Sequence, residues 1–432
     1  MMRNRTLLVW ALTAIGGTGC TFESGKCPDG FECKPINNMP AAGTGGAADN
    51  GGSDSGNSGG AGAGHSAGAG KGGAPNNNAG SSGDGHTAGE AGSGESTAGG
   101  GNVIPSNPDG SWANATGNLA GTPSACGTIP YVTVKPGENL LIVGVVKQGV
   151  FSSTDSGKTW SQLGTGAGSA TFGAGLSEVL FDPTDDATWW LSGVRYGSPF
   201  RTDDNGKTFE KLGDFPQNDG MAVDFSDPDR KTLLVGGHEQ AQEVEYSADG
   251  GATWKNIGVN LPADSGFSSY PYIVDDKTFM VGTSNNLTFR TTDKGAHWTK
   301  VVDGGGGGKP LKHSDGSLYW AATQSGGLVR STDDGATWKV VTPANVVFGM
   351  TPIELPDGRI AMRSAKGMLV TDDKGVNWRQ ISPPIPNDYW WFVTTYNVED
   401  KAFYTTRFAC DANQATVNAD ALMRFSWDYT KD

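Results

Sequence analysis

RSTDDGATW, residues 330–338, decides the fold, because the same pattern returns five more times. The other copies are SSTDSGKTW (152–160), RTDDNGKTF (201–209), YSADGGATW (246–254), RTTDKGAHW (290–298) and VTDDKGVNW (370–378). All share an aspartate (Asp155, Asp204, Asp249, Asp293, Asp333, Asp373), a glycine two residues later and an aromatic three beyond it. Successive aspartates lie 49, 45, 44, 40 and 40 residues apart, the length of a repeat built from four short strands. The chemistry is that of a tight turn. Aspartate accepts hydrogen bonds from the turn backbone, glycine takes positive φ, and the aromatic packs the repeat against its neighbour.

A second series counts the repeats. A turn precedes each copy, as KPGEN (135–139), DPTDD (182–186), DPDRK (227–231), DDK (275–277), SDG (314–316) and PDG (356–358). A seventh, EDK (399–401), follows the last copy. Short apolar runs such as LLIVG (140–144) and LLVGG (233–237) come directly after these turns and mark hairpins. Seven hairpins and six copies imply seven units. The seventh runs out of chain after a third strand at 421–427, while DGSWANATGNL (109–119) resembles the outer-strand segment 249–261, with Trp112 in the place of Trp254. Residues 110–117 are therefore expected to supply the missing outer strand and close a ring.

The pattern S/T-x-D-x-G-x-x-W/F closely resembles the Asp-box, or BNR repeat. The resemblance covers about residues 110–428 and implies an all-β fold, a seven-bladed β-propeller in which the boxes join the third and fourth strands of each blade. It makes the six aspartates structural. It also implies that ligands bind at the channel mouth on the opposite face, lined by the loops between second and third strands and between blades.

Those loops hold Lys147, Gln148, Arg195, Tyr196, His238, Glu239, Asn285, Gln324, Arg363 and Arg407, together with Asp219, Tyr270, Lys309, Tyr389, Trp390 and Trp391. Mixed aromatic, cationic and amide groups suit a sugar or an anionic glycan. The expected ligand-binding residues are Arg195, Asp219, Tyr270, Arg363, Trp390, Trp391 and Arg407; His238, Glu239 and Tyr196 are the candidate catalytic groups. Sialidases of the superfamily carry an Arg-Ile-Pro segment, which this chain lacks. Its xyloglucanases use aspartates on two facing propellers, and this chain has room for one. Its single-propeller lyases pair His with Tyr and a cation, for which His238, Tyr196 or Tyr270, and Arg195 are available. Sortilin-type and photosystem-assembly relatives bind proteins instead.

The rest of the chain is read from composition. Arg3 and Arg5 precede an apolar core at 7–15, and Cys20 follows small residues as in a bacterial lipobox, without the usual Leu three residues before it. Residues 1–20 thus read as an export signal with Cys20 as the lipidation site, and 21–40 as a short segment containing Cys27 and Cys33. Residues 41–101 hold 23 glycines in 61 positions and no Leu, Ile, Val, Met or aromatic residue, the signature of a disordered linker. The propeller is assigned to 102–432. In an oxidising compartment, Cys27 is expected to pair with Cys33 and Cys126 with Cys410. Residues 102–432 carry 27 Lys+Arg against 38 Asp+Glu, an acidic balance that argues against nucleic acid. No metal or cofactor is expected, GGGGGK (304–309) is not a phosphate loop, and no nucleophile elbow occurs. The expectation is a monomeric exported protein, membrane-attached only through a lipid, that binds and in its enzymatic form cleaves an extracellular glycan. The alternative is a scaffold for a cell-surface protein partner.

Overall fold

The computed structural model describes residues 102–104, 108–125, 127–194, 198–215, 217–322, 327–386, 393–407 and 414–432. Their strands form seven sheets, six of four antiparallel strands and one of four with a fifth added in parallel. Blades 1 to 7 span 132–162, 175–211, 218–256, 270–303, 311–342, 348–380 and 394–426. This is a seven-bladed β-propeller.

Burial on both faces explains the continuous apolar runs. In Leu141–Val145, Leu141, Val143 and Val145 face the seam between blades 7 and 1, while Ile142 faces the seam between blades 1 and 2. Leu233 and Val235 likewise face blade 2, and Leu234 faces blade 4. Strand side chains alternate, so a strand sandwiched between two sheets must be apolar at every position. Seven buried clusters result among the described residues, one at each blade-to-blade seam.

The ring closes as the sequence predicts. Ala113–Asn114 pairs antiparallel with the third strand of blade 7, Ala113 opposite Arg424 and Asn114 opposite Met423. Trp112 stands where the other blades place a box tryptophan. Its indole N–H donates to Pro383 O in the connection from blade 6 at 3.0 Å, and its ring lies 5.3 Å from Phe425. A further strand was not anticipated: Asn102–Ile104 adds in parallel to the outer edge of blade 6, with Val103 opposite Trp378. Cys126 and Cys410 lie outside the described residues, as do Cys20, Cys27 and Cys33.

All six box turns share one hydrogen-bond scheme. In the first, Ser153 Oγ donates to Asp155 Oδ1 at 2.8 Å and accepts from Gly157 N at 3.0 Å. Thr159 N and Oγ1 close on the two carboxylate oxygens at 2.9 and 2.7 Å. Asn377 replaces the threonine in the sixth, donating through Nδ2 to Asp373 Oδ2 at 2.7 Å. These donors hold the Asp155 and Asp293 carboxyls at about 2. The stability they provide is present above the ordinary aspartate range and is lost as pH falls through it. The glycine and the residue before it both have positive φ, as in Ser156 (63°) and Gly157 (80°). The indoles then reach the preceding blade: Trp298 donates to Ile257 O at 3.1 Å and Trp378 to Thr342 Oγ1 at 3.0 Å.

The box glycine is needed for interblade space as well as for φ. A Cβ on Gly157 would stand 2.5 Å from Ala115 O, whereas one on Gly316, at a similar φ of +85°, meets nothing within 4 Å. Gly316→Ala is expected to cost about 1 kcal/mol of backbone strain. Gly157→Ala should cost at least about 1–2 kcal/mol more, because backbone of blade 7 must move. Equal denaturant midpoints for the two variants would contradict this account.

Candidate functional site

The two faces of the ring do different work. On the box face, polar groups staple blade to blade: Arg230 grips Asp182 at 2.7 and 2.9 Å across blades 3 and 2, and Ser156 donates to Asp400 at 2.9 Å across the closing seam. Two surface concavities among the described residues are lined by Lys312, Asp315, Arg330 and Lys374, and by Arg201, Phe209 and Lys211. The opposite face gathers a different set of groups.

Blade 3 supplies the first part. Asp219 lies in its inner strand, Asn218–Val223, and His238 follows its second strand, Leu233–Gly237. Register carries them together, since Asn218 is opposite Gly237. His238 Nδ1 is 2.7 Å from Asp219 Oδ1, and Nε2 is 3.9 Å from Glu239 Oε1. Glu239 has φ of 55°, a left-handed position that turns the loop back toward the ring. The imidazole is thus oriented by one carboxylate and faces another, an arrangement suited to moving a proton.

Blade 2 supplies a group absent from the expected set. Its inner strand GLSEVLF (175–181) carries Glu178 among apolar residues, with a side chain 6% exposed. Register shifts interrupt this strand at Leu176/Glu178 and the inner strand of blade 3 at Asn218/Met221. The second shift frees the Met221 N–H, which donates to Glu178 Oε2 at 2.8 Å. Bulges of this kind re-aim side chains, and here one frees a donor for a carboxylate on the neighbouring blade. Gly220 leaves the necessary space: a Cβ there would meet Tyr270 at 2.6 Å and Glu178 Oε2 at 3.1 Å.

Lys309, from the connection between blades 4 and 5, brings Nζ to 3.8 Å from Glu178 Oε1. Desolvation pushes the Glu178 carboxyl up to about 7, with Lys309 and the Met221 N–H pulling the other way. Desolvation also lowers the Lys309 ammonium, against the pull of Glu178. Buried Tyr270, at the start of the inner strand of blade 4, is raised well above the ordinary phenol range by desolvation and then by Asp219 and Glu178. Tyr131 is raised in the same way and accepts the Val179 N–H through its hydroxyl at 3.3 Å.

Of the expected residues, Asp219, His238, Glu239 and Tyr270 therefore come together. Arg363 lies in the second strand of blade 6 and Arg407 directly follows that of blade 7. Burial lowers Arg363 to about 9, and Arg407 is paired with Asp420. Arg195, Tyr196, Trp390 and Trp391 lie outside the described residues, as do Tyr389 and Gln324. Glu178 was missed, although a lone glutamate in an otherwise apolar inner strand is a readable signal.

The fold is a seven-bladed β-propeller, and its six repeated turns resemble the Asp-box. No family model matches the chain. Its sequence is 26% identical over 139 residues to the dispase autolysis-inducing protein of Streptomyces mobaraensis, covering 32% of this chain and 37% of that one. It is 27% identical over 129 residues to the photosystem II assembly lipoprotein Ycf48 of Synechococcus sp. (strain CC9902), covering 28% and 37%. The chain thus spans little more than a third of either relative's length. Among solved structures it is similar to the GH74 xyloglucanase of Xanthomonas campestris, with 17% identity, a TM-score of 0.42 and coverage of 64% of this chain and 47% of that one.

The environment of Glu178 gives the site a signature in stability. The free carboxyl titrates near 4.5 and the folded one near 7, so the folded chain holds this proton more tightly. The resulting stability is full below the lower value and is lost as pH rises through the upper one, by at most about 3 kcal/mol. Glu178→Gln keeps the acceptor for Met221 and removes the charge. It should stabilise the fold by about 1–3 kcal/mol above pH 7 and leave it unchanged below about pH 4.5. Denaturation midpoints across that range would show it; a variant equally destabilised at every pH would contradict the burial argument.

Proposed function

We propose that the channel mouth opposite the Asp-boxes binds an extracellular glycan and that the groups assembled there act on it by acid–base chemistry. The observation that carries the reading is the His238 imidazole held at 2.7 Å by Asp219 and facing Glu239. Environments that push neighbouring titratable groups apart are how one site holds both an acid and a base. Here Glu178 is raised by burial while Asp219 engages the histidine. His238 is the proton carrier and Asp219 its positioning residue. Glu239 is the second carboxylate, and Tyr270 forms part of the wall. Arg195, Tyr196, Trp390, Trp391, Arg363 and Arg407 complete the proposed ligand set. Product formation would be hydrolytic or eliminative, as a glycoside hydrolase or polysaccharide lyase.

The same reading places the protein outside the cytoplasm, exported by residues 1–20, lipidated at Cys20 and joined to its propeller through 41–101. The lipoprotein relative Ycf48 supports this placement by its name. That relative also supports the second reading, a scaffold for a protein partner.

Screening the full chain against polysaccharides, scoring binding and product release separately, distinguishes the readings. His238→Ala should lower turnover by about 100-fold or more while leaving binding within a few fold. Asp219→Asn, which keeps the shape but removes the charge, should lower it less. Binding without turnover on every polysaccharide would remove the catalytic part, and no glycan binding would leave the scaffold.

A further inference from the structure

The channel wall holds one acceptor that no described group satisfies. Glu178 Oε2 is taken by Met221, but Oε1 accepts no hydrogen bond although its side chain is 94% buried, the complement of its 6% exposure. An unsatisfied buried carboxylate oxygen is costly and uncommon in a native interior. Its ion-pair partner, Lys309 Nζ, stops at 3.8 Å, beyond hydrogen-bond reach. That lysine arrives from a connection made of five consecutive glycines, Gly304 to Gly308, four of them at positive φ. The ammonium is half withdrawn toward solvent, and the best acceptor in front of it remains open.

The carboxyls nearby have one sign. On blade 3, Asp219 and Glu239 bracket His238. Asp219 and Glu178 both act on the buried Tyr270 between them. An anionic sugar, which the sequence allowed, would meet these carboxylates unfavourably, whereas a positively charged group is complementary to them.

We propose that Glu178 Oε1 is the receptor for a primary ammonium of the ligand, and that Lys309 occupies its place as an intramolecular stand-in. Resting on the glycan reading above, this names the ligand class as a glycan with free amino sugars. The incoming ammonium takes the hydrogen bond that Lys309 does not reach, and Lys309 moves out into the solvent it already touches. No covalent step is involved. The lysine also sets specificity: an uncharged sugar gains nothing by displacing it, and a uronate brings a charge that the carboxylates repel.

The test is calorimetric titration of the full chain, at neutral pH and low salt, with glucosamine oligomers, N-acetylglucosamine oligomers, cello-oligomers and galacturonate oligomers of equal length. The glucosamine series should bind at least about tenfold more tightly than the N-acetylated series. Lys309→Ala, which removes the competitor from an exposed position, should tighten it by a further factor of about ten. Glu178→Gln should erase the preference for the free amine without abolishing binding of the neutral sugars. If the N-acetylated or uronate oligomers bind as well as the free amine, the ammonium receptor is wrong and the glycan reading stands. If Lys309→Ala weakens glucosamine binding, the lysine is a ligand contact rather than a stand-in, and the inference is again overturned. If no oligomer binds, both readings fall together.

Discussion

Burial of each blade on both faces is the constraint from which the rest of the molecule follows. Trp320 and Tyr319, neighbours in one strand, pack into opposite seams, the first against Met280 of blade 4 and the second against Ile360 and Met362 of blade 6. Neither face can be given to water, so no blade is self-sufficient and each seam must be present. Seven such seams require the last blade to meet the first. The chain achieves this by lending Ala113–Asn114 from its beginning to the blade at its end. Polar pairs reinforce the closing seam, with Ser156 on Asp400 and Asn139 on Asn397. These contacts fix the entropy-costly pairing of the two chain ends.

The Asp-box turns serve the same constraint from outside. A turn that spends two consecutive residues at positive φ points the following aromatic back under the preceding blade. Serine or threonine, aspartate and glycine are the residues that can hold that geometry together. This is why six copies survive in register while the intervening loops differ freely in length. It is also why their aspartates are withdrawn from chemistry: each carboxylate is filled by its own turn.

What could be read before the structure divides along this line. Blade number, box position and the borrowed strand were legible because each depends on residue types recurring at fixed spacing. The parallel strand Asn102–Ile104 left no trace, since three residues have no measurable period and its partner strand already carried a box. The channel groups were legible only in part. His238, Glu239, Asp219 and Tyr270 stand out as polar residues at strand ends. Glu178 lies inside an apolar run, and its importance depends on two register shifts and on the bareness of Gly220, none of which composition announces.

Those register shifts connect architecture to chemistry. A regular inner strand in blade 3 would commit its amides to its neighbour in the ladder. The irregularity between Asn218 and Met221 instead turns the Met221 N–H toward blade 2, and Gly220 donates to Ser269 O of the next inner strand at 3.0 Å. Three inner strands are thereby joined edge to edge around the channel, and a carboxylate is held among them with one oxygen satisfied and one open. A fully packed channel would stabilise the ring without leaving such a group. The fold instead carries an acceptor that no described protein group satisfies where three of its blades converge, an expense that the seven surrounding seams are large enough to sustain.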